Sequence, residues 1–369
     1  MNWKQKTETL QNLIGEIRER TFPYIERPKT KINWSLYDAA QCREVADVVT
    51  EIGIFVDFAN DEVIPKPEII KSEAGRPSIP PDDIAKTLLV QSYLGHANRP
   101  AEGLAYLFSE RLNLKTNFSY KTIERGYDRR SVNEILNVVF TITNKCVSGL
   151  EKIFSVDGSG TPTSIKQNYA RDREMQRKKR SKEENDAFPH SAFTSKHDYV
   201  YKEAMIGVKY KLIAGWVSTT DHTIGETTLF PRVFGQSINN HPDMEKILGD
   251  GIFGARWICQ LVGQNGVIPR FLPRRNVRFK AKGVREWAEM LLSLFINPQE
   301  WLEEYHLRSN SEAVFSILDR GNPHPLRKRL DRRRETEDYL RAIVHNIKRL
   351  CYLRYLDNEI SKRLSKILS

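Results

Sequence analysis

Apolar positions recur at helical spacing toward both ends of the chain and at strand-like spacing in its middle. In residues 5–20, Leu10, Leu13, Ile14 and Ile17 fall at i, i+3, i+4 and i+7, one face of an amphipathic helix. A second helical segment covers about residues 38–55. Pro65, Pro67, the Gly75-Arg76-Pro77 turn and Pro80-Pro81 then mark an extended connector. Pro80 and Pro81 followed by Asp82 and Asp83 suit a helix start, because proline loses no bond in the first turn and acids complement the helix dipole. That helix carries Ile84, Leu88, Leu89 and Tyr93 to a stop at Gly95. A helix over about 99–111 follows, then a shorter one after Phe118-Ser119 with Lys121, Arg125, Arg129 and Arg130. Ser131 and Glu134 have capping-box spacing and open a helix through Ile135, Leu136, Val139 and Ile142.

After Gly149 the pattern changes. Residues 152–156 (KIFSV) predict a strand that ends in a turn at Asp157-Gly158-Ser159-Gly160. Residues 203–219 read as a hairpin with its tip near Tyr210-Lys211. Helical stretches follow around 227–234 and Met244, then Ile247-Leu248 leads into Gly249-Asp250-Gly251. A helix over about 255–262, a strand over 267–272 and helices over 284–295 and 298–318 complete this part. Residues 336–367 are again amphipathic and helical. Strands alternating with helices predict an α/β core. The expected organisation is an N-terminal helical region (1–70), a helical, helix-turn-helix-like domain (71–150), an α/β domain (151–335) and a C-terminal helix (336–369). In the second of these, Lys121 and Arg125 on the basic third helix are placed to reach a DNA groove. An ordinary bundle with an exposed basic face fits the same pattern.

Composition narrows the class. Of 369 residues 40% are hydrophobic and 10% aromatic, which supplies a core and excludes a disordered chain. The longest apolar runs, such as 288–296, are too short to span a bilayer, and the first residues hold no signal-like apolar stretch. The expectation is a soluble, cytosolic protein with no membrane partner. Cys42, Cys146, Cys259 and Cys351 lack the short spacing of a zinc site and read as reduced thiols. The net charge of +11 is concentrated in runs at 171–182, 270–285 and 327–334. A polyanionic partner follows, since each neutralised phosphate releases counterions. Arg177, Lys178, Lys179 and Arg180 in the first run, with Arg274 and Arg275 in the second, are the candidate DNA contacts.

Two acids stand beside glycines at predicted strand ends, Asp157 in Val156-Asp157-Gly158 and Asp250 in Gly249-Asp250-Gly251. Each could hold a metal there, but taken singly each reads more readily as a plain Asp-Gly turn. A third element adds weight. Tyr305, Arg308 and Glu312 are spaced i, i+3 and i+7, so at about 100° per residue they form one polar stripe on a helix. Such a stripe faces either water or a site.

With that stripe the chain resembles the insertion-sequence transposases of the DDE superfamily, in the group with a Y-x-x-R-x-x-x-E signature. Asp157, Asp250 and Glu312 occur in the family's order, and Gly75 to Pro81 with Asn98-Arg99 resembles its N-terminal domain. The resemblance covers about residues 75–355. It implies a ribonuclease H-like α/β core with an all-α DNA-binding region before it and a helical segment after it. Asp157, Asp250 and Glu312 are the implied catalytic and metal-binding acids for two Mg²⁺ ions, which Mn²⁺ can replace. Asp157 would bridge both ions, Arg308 would hold a phosphate bidentately and Tyr305 would position the DNA backbone. A clamp in which Tyr305 and Arg308 orient Glu312 is the other reading. Asp319 stands where the family often has lysine, so it is left out of the catalytic set. The implied function is metal-dependent cleavage and strand transfer of transposon-end DNA. The implied partners are the terminal inverted repeats and target DNA, engaged by a homodimer. A catalytically silent DNA-binding derivative and a metal-dependent nuclease without strand transfer are the alternatives.

Overall fold

The computed structural model describes residues 2–25, 32–63, 78–166, 197–279 and 283–367. Its centre is a mixed five-stranded sheet in the order β3-β2-β1-β4-β5. The strands are β1 (Ile153–Lys166), β2 (His197–Gly207), β3 (Ile213–Thr219), β4 (Lys246–Gly249) and β5 (Ile268–Phe271). Strand β2 runs antiparallel to β1 and β3, whereas β4 is parallel to β1 and to β5. The α/β core expected from the alternation is therefore present.

Thirteen α-helices are described, numbered in chain order: α1 (Trp3–Glu19), α2 (Trp34–Val63), α3 (Pro81–Leu94), α4 (Asn98–Leu107), α5 (Tyr120–Gly126), α6 (Arg130–Lys145), α7 (Glu226–Asn240), α8 (Arg256–Gln264), α9 (Arg285–Ile296), α10 (Pro298–Tyr305), α11 (Ser309–Gly321), α12 (Asp331–Leu356) and α13 (Asn358–Ile367). They cover the two faces of the sheet with two apolar cores. On one face Ala204, Ile206, Ile213 and Trp216 pack with α2, α3, α6, α11, α12 and α13. On the other, Phe154, Val156, Met205, Ile247 and Phe271 pack with α1 and α7 to α10. Strand alternation produces this split, since neighbouring side chains leave a strand on opposite faces. Asn346 ties the first layer together: its carboxamide accepts from the Ile213 N–H at 2.8 Å and donates to the Ile213 carbonyl at 2.9 Å and to Thr143 Oγ1 at 3.2 Å.

The N-terminal segment is divided between these cores. Leu10 and Ile14 of α1 are fully buried in the second, while Val48, Ile52 and Phe55 of α2 are buried in the first. The C-terminal residues form two helices rather than one, both packed in the first core.

Several local expectations are corrected. Strand β1 does not stop at Val156; it continues through Asp157-Gly158-Ser159-Gly160, because β2 pairs with every one of these residues. The expected capping box is absent: α6 starts at Arg130, and Glu134 turns back to Arg130 Nε at 2.8 Å. Met244 lies in the turn before β4 rather than in a helix. The hairpin tip does fall at Tyr210-Lys211, with Lys211 in the left-handed region at φ 60°.

The expected helix over 298–318 is broken by a 3-10 turn, His306–Arg308. The cause lies in the three polar residues that follow. Ser309 Oγ, Asn310 Nδ2 and Ser311 Oγ donate to the carbonyls of His306, Leu307 and Arg308, at 3.0, 2.8 and 2.8 Å. Short polar side chains that bond nearby carbonyls compete with the regular helix ladder. One continuous stripe from Tyr305 to Glu312 is thus replaced by two short helices meeting at a tight turn.

Candidate active site

Asp157 lies within β1, and alternation puts it on the same face as Ser155. That face looks toward the 3-10 turn: Ser155 Oγ is 3.3 Å from both the Arg308 carbonyl and Ser311 Oγ. Ser311 Oγ in turn lies 3.2 Å from Asp157 Oδ2. One hydroxyl proton cannot serve the Arg308 carbonyl and Asp157 at once, so Ser311 is poised between holding the turn and holding the acid.

Asp250 follows the last residue of β4. The parallel register pairs Ile153 with Lys246, Phe154 with Ile247 and Ser155 with Leu248. Asp157 and Asp250 each follow the last of these pairs, Ser155 and Leu248, by two residues on neighbouring parallel strands. Asp250 Oδ1 accepts the Ile252 N–H at 2.8 Å, which fixes the carboxylate at the mouth of the loop after β4.

The Tyr-Arg-Glu segment reaches this spot because α10 is tied to the same two strands. Glu304 pairs with Lys246 of β4 and with Arg270 Nε of β5, the latter at 3.2 Å. Tyr305 then stacks on Trp301 with ring centroids 5.0 Å apart, in the second core. Arg308 Nη2 donates to Glu312 Oε1 at 2.9 Å, and Arg308 Nη1 stands 3.9 Å from Asp157 Oδ2. The guanidinium therefore bridges the glutamate and the first aspartate.

The charges influence one another. Burial raises the Asp157 carboxyl above its usual range, and the Glu312 charge acts in the same sense. The Gly158 N–H, Arg308 and Ser311 oppose this. Burial likewise raises the Tyr305 phenol; the Asp250 charge adds to that, while Arg308 and Arg18 counter it. Tyr305 and Asp250 thus share one electrostatic environment.

The glycine after Asp157 serves packing. A Cβ at 158 would come 1.8 Å from the Tyr201 hydroxyl and 3.2 Å from Glu226 Oε1. Opposite Gly158, on β2, Glu203 is fully buried and neither carboxyl oxygen has a hydrogen-bond partner among the described residues. Burial first, then the charges of Glu226 and Asp157, push this carboxyl up to about 9. Sequence reasoning missed Ser155, Ser311 and Glu203. The two serines sit two residues before Asp157 and one before Glu312, a proximity that could have drawn notice; nothing in the sequence marks Glu203.

Among the described residues no three His, Cys, Asp or Glu side chains gather closely enough to hold one metal ion. Glu312 is turned to Arg308 and its side chain is 58% exposed. The donor chemistry nonetheless suits a hard cation, since all three acids offer oxygen ligands. When all three are ionised, the single guanidinium leaves the group with excess negative charge, which like-charged carboxylates tolerate only with a cation nearby.

The basic residues separate into different roles. Lys121 and Arg125 are exposed on α5, whose Glu124 is anchored to Lys328 and Arg333 at 3.2 and 2.9 Å. Arg274 and Arg275 are exposed in the loop after β5, Arg275 pairing with Glu19 at 3.0 Å. Arg177, Lys178, Lys179 and Arg180 lie outside the described residues. In the run at 327–334, read from the sequence as one of three basic runs, several cations are engaged within the fold. Lys328 is buried with Nζ 3.9 Å from the Tyr127 ring centroid, Arg333 pairs with Glu124 and Asp128, and Arg334 pairs with Asp198. No described helix is long and apolar enough to cross a membrane.

No family model matches the chain. Over 281 residues, 75% of this chain and 78% of the relative, it is 24% identical to a protein of Archaeoglobus fulgidus named "Probable transposase for insertion sequence element ISA1214". This distant likeness supports an insertion-sequence transposase, and with it a DNA-acting enzyme.

Proposed function

We propose that the chain is a DDE transposase that cuts and rejoins the DNA ends of an insertion sequence. The observation that supports the reading is the Arg308 guanidinium between Glu312 and Asp157, with Asp250 just past the strand parallel to that of Asp157. The strand order 3-2-1-4-5 with β2 alone antiparallel supports a ribonuclease H-like core.

Asp157, Asp250 and Glu312 would hold Mg²⁺, which when bound would activate the attacking oxygen and steady the leaving 3′-oxygen. The residues of the chain do the rest. A DNA phosphate offers Arg308 a better bidentate acceptor than the single contact with Glu312, so binding DNA frees the glutamate to turn toward the aspartates. Ser311 keeps Asp157 oriented, and Tyr305 lines the path of the backbone. Lys121 and Arg125 on α5 contact the terminal repeat, and two ends processed together call for a dimer.

The silent DNA-binding reading also has an observation in its favour, because Glu312 is engaged by Arg308 and no three-acid cluster is formed. Incubating the full chain with terminal-repeat duplexes and Mg²⁺ or Mn²⁺ separates the two. Nicking by the parent, lost in Asp157→Asn and Glu312→Gln with duplex affinity retained, supports the enzyme. Binding without any metal-dependent cut, by parent and variants alike, supports the silent protein.

A further inference from the structure

Helix α1 lies in sequence outside the segment that carries the family resemblance, yet it is docked beside the carboxylates. Leu10 and Ile14 are fully buried in the second core. Gln11 Nε2 donates to the Val277 carbonyl at 2.8 Å, and Arg18 Nη2 donates to the Pro273 carbonyl at 2.8 Å. Glu19 joins the same loop through Arg275 at 3.0 Å. These anchors fix the last turn of α1 against the segment after β5.

Arg18 consequently stands over Gly251, the residue next to Asp250. A Cβ at 251 would lie 3.2 Å from Arg18 Nη2 and 2.9 Å from the Leu272 carbonyl, so this glycine permits the close approach. The Arg18 charge is felt at Tyr305, the residue that also senses Asp250. Arg18 itself is exposed and forms no ion pair with a described carboxylate. One of its nitrogens is spent on the Pro273 carbonyl. Arg20, two residues on, and Arg274 and Arg278, in the loop to which α1 is anchored, are also exposed. An exposed cation one residue from an acid of the site suits a polyanion that must pass those acids.

We propose that Arg18 binds a backbone phosphate of the DNA lying in the carboxylate site, so that α1 forms one wall of that site. Guanidinium geometry matches a phosphate through paired N–H donors, which a solvated surface arginine does not exploit. The proposal rests on the transposase reading for the identity of the DNA, but its test does not require cleavage.

The test is the salt dependence of binding of the full chain to a fluorescent terminal-repeat duplex, comparing the parent with Arg18→Gln and Arg18→Lys. Glutamine removes the charge and ends two bonds short of the Nη2 that reaches the Pro273 carbonyl, so docking of α1 rests on Leu10, Gln11 and Ile14, and a thermal melt of each variant checks it. The expected result is a uniform several-fold loss of affinity in Arg18→Gln with a log–log salt slope smaller by about 1, and in Arg18→Lys a parental slope with part of the affinity lost. An Arg18→Gln slope equal to that of the parent overturns the proposal, whether or not the parent cuts DNA. A parent that binds with the expected Arg18 dependence but never cuts instead counts against the transposase reading alone.

Discussion

Arg308 Nη2 donates a hydrogen bond to Glu312 Oε1 at 2.9 Å, while the same guanidinium stands 3.9 Å from Asp157. A cation that belongs to the protein thus occupies the space between two acids assigned to a metal. Removing it has two opposite consequences. Arg308→Ala is expected to tighten Mn²⁺ binding, because Glu312 is released and the local negative charge rises. DNA cleavage is expected to fall by about 10²-fold or more as the phosphate contact is lost. Paired metal-binding isotherms and cleavage rates check this, and unchanged Mn²⁺ affinity would mean that Arg308 does not restrain the glutamate.

Glu203 makes stability depend on pH. Its folded-state pKa, about 9, exceeds the ordinary 4.5, so the folded protein holds this proton more tightly than the unfolded chain. The contribution is fully present below about 4.5 and is lost as pH rises through about 9, with a limiting slope of about 1.4 kcal/mol per pH unit. Glu203→Gln should therefore be the more stable protein at pH 8 to 9, and its melting temperature should decline less across that interval. Parallel melting curves for parent and variant refute the buried neutral acid.

His241 acts at the other end of the scale. Burial pushes it down to about 4, and its Nε2 lies 3.0 Å from Asn144 Oδ1. A lowered folded-state value gives stability that is present above the unfolded value of about 6.5 and lost as pH falls through about 4. His241→Gln is expected to cost stability at neutral pH but to weaken the acid-induced loss between pH 6.5 and 4. Denaturant midpoints measured across that range decide it.

A buried polar relay joins sheet and helix. Lys202 Nζ donates to Thr161 Oγ1 at 2.8 Å, and Thr161 Oγ1 donates to Asp338 Oδ1 at 2.7 Å, with all three side chains buried. Lys202→Met leaves Asp338 without its balancing charge and should cost about 3–5 kcal/mol. Adding Asp338→Leu should restore much of that loss. If the double variant is as unstable as Lys202→Met, the cost arises from packing around Trp216 and Phe315 instead.

The exposed basic groups of α5 should behave differently from the buried ones near it. Lys121→Ala and Arg125→Ala are expected to weaken duplex binding and lower its salt slope by about 0.9 each, with little change in melting temperature. Lys328→Ala should instead lower the melting temperature, because Glu124 and Asn98 lose their buried partner. Equal salt slopes in parent and Lys121→Ala would mark that lysine as merely solvated.

The sequence by itself determined the composition of the layers and the identity of the chemical groups. Alternation and helical periodicity placed β5 and helices such as α3 and α8 close to their observed bounds, because those patterns are local. The set Asp157, Asp250 and Glu312 was proposed from the resemblance that the Tyr-Arg-Glu spacing carries. The break at 306–308 was written in Ser309-Asn310-Ser311, whose side chains cap the preceding turn. Only the tertiary structure decided what those groups face. Strand β1 runs on past Val156 because β2 offers a paired edge. Arg308 stands 3.9 Å from Asp157, and Arg18 crosses from helix α1 to Gly251. Each of these depends on contacts between residues tens to hundreds of positions apart, and their free energy depends on which surfaces exclude water together, a quantity that no local window of residues contains.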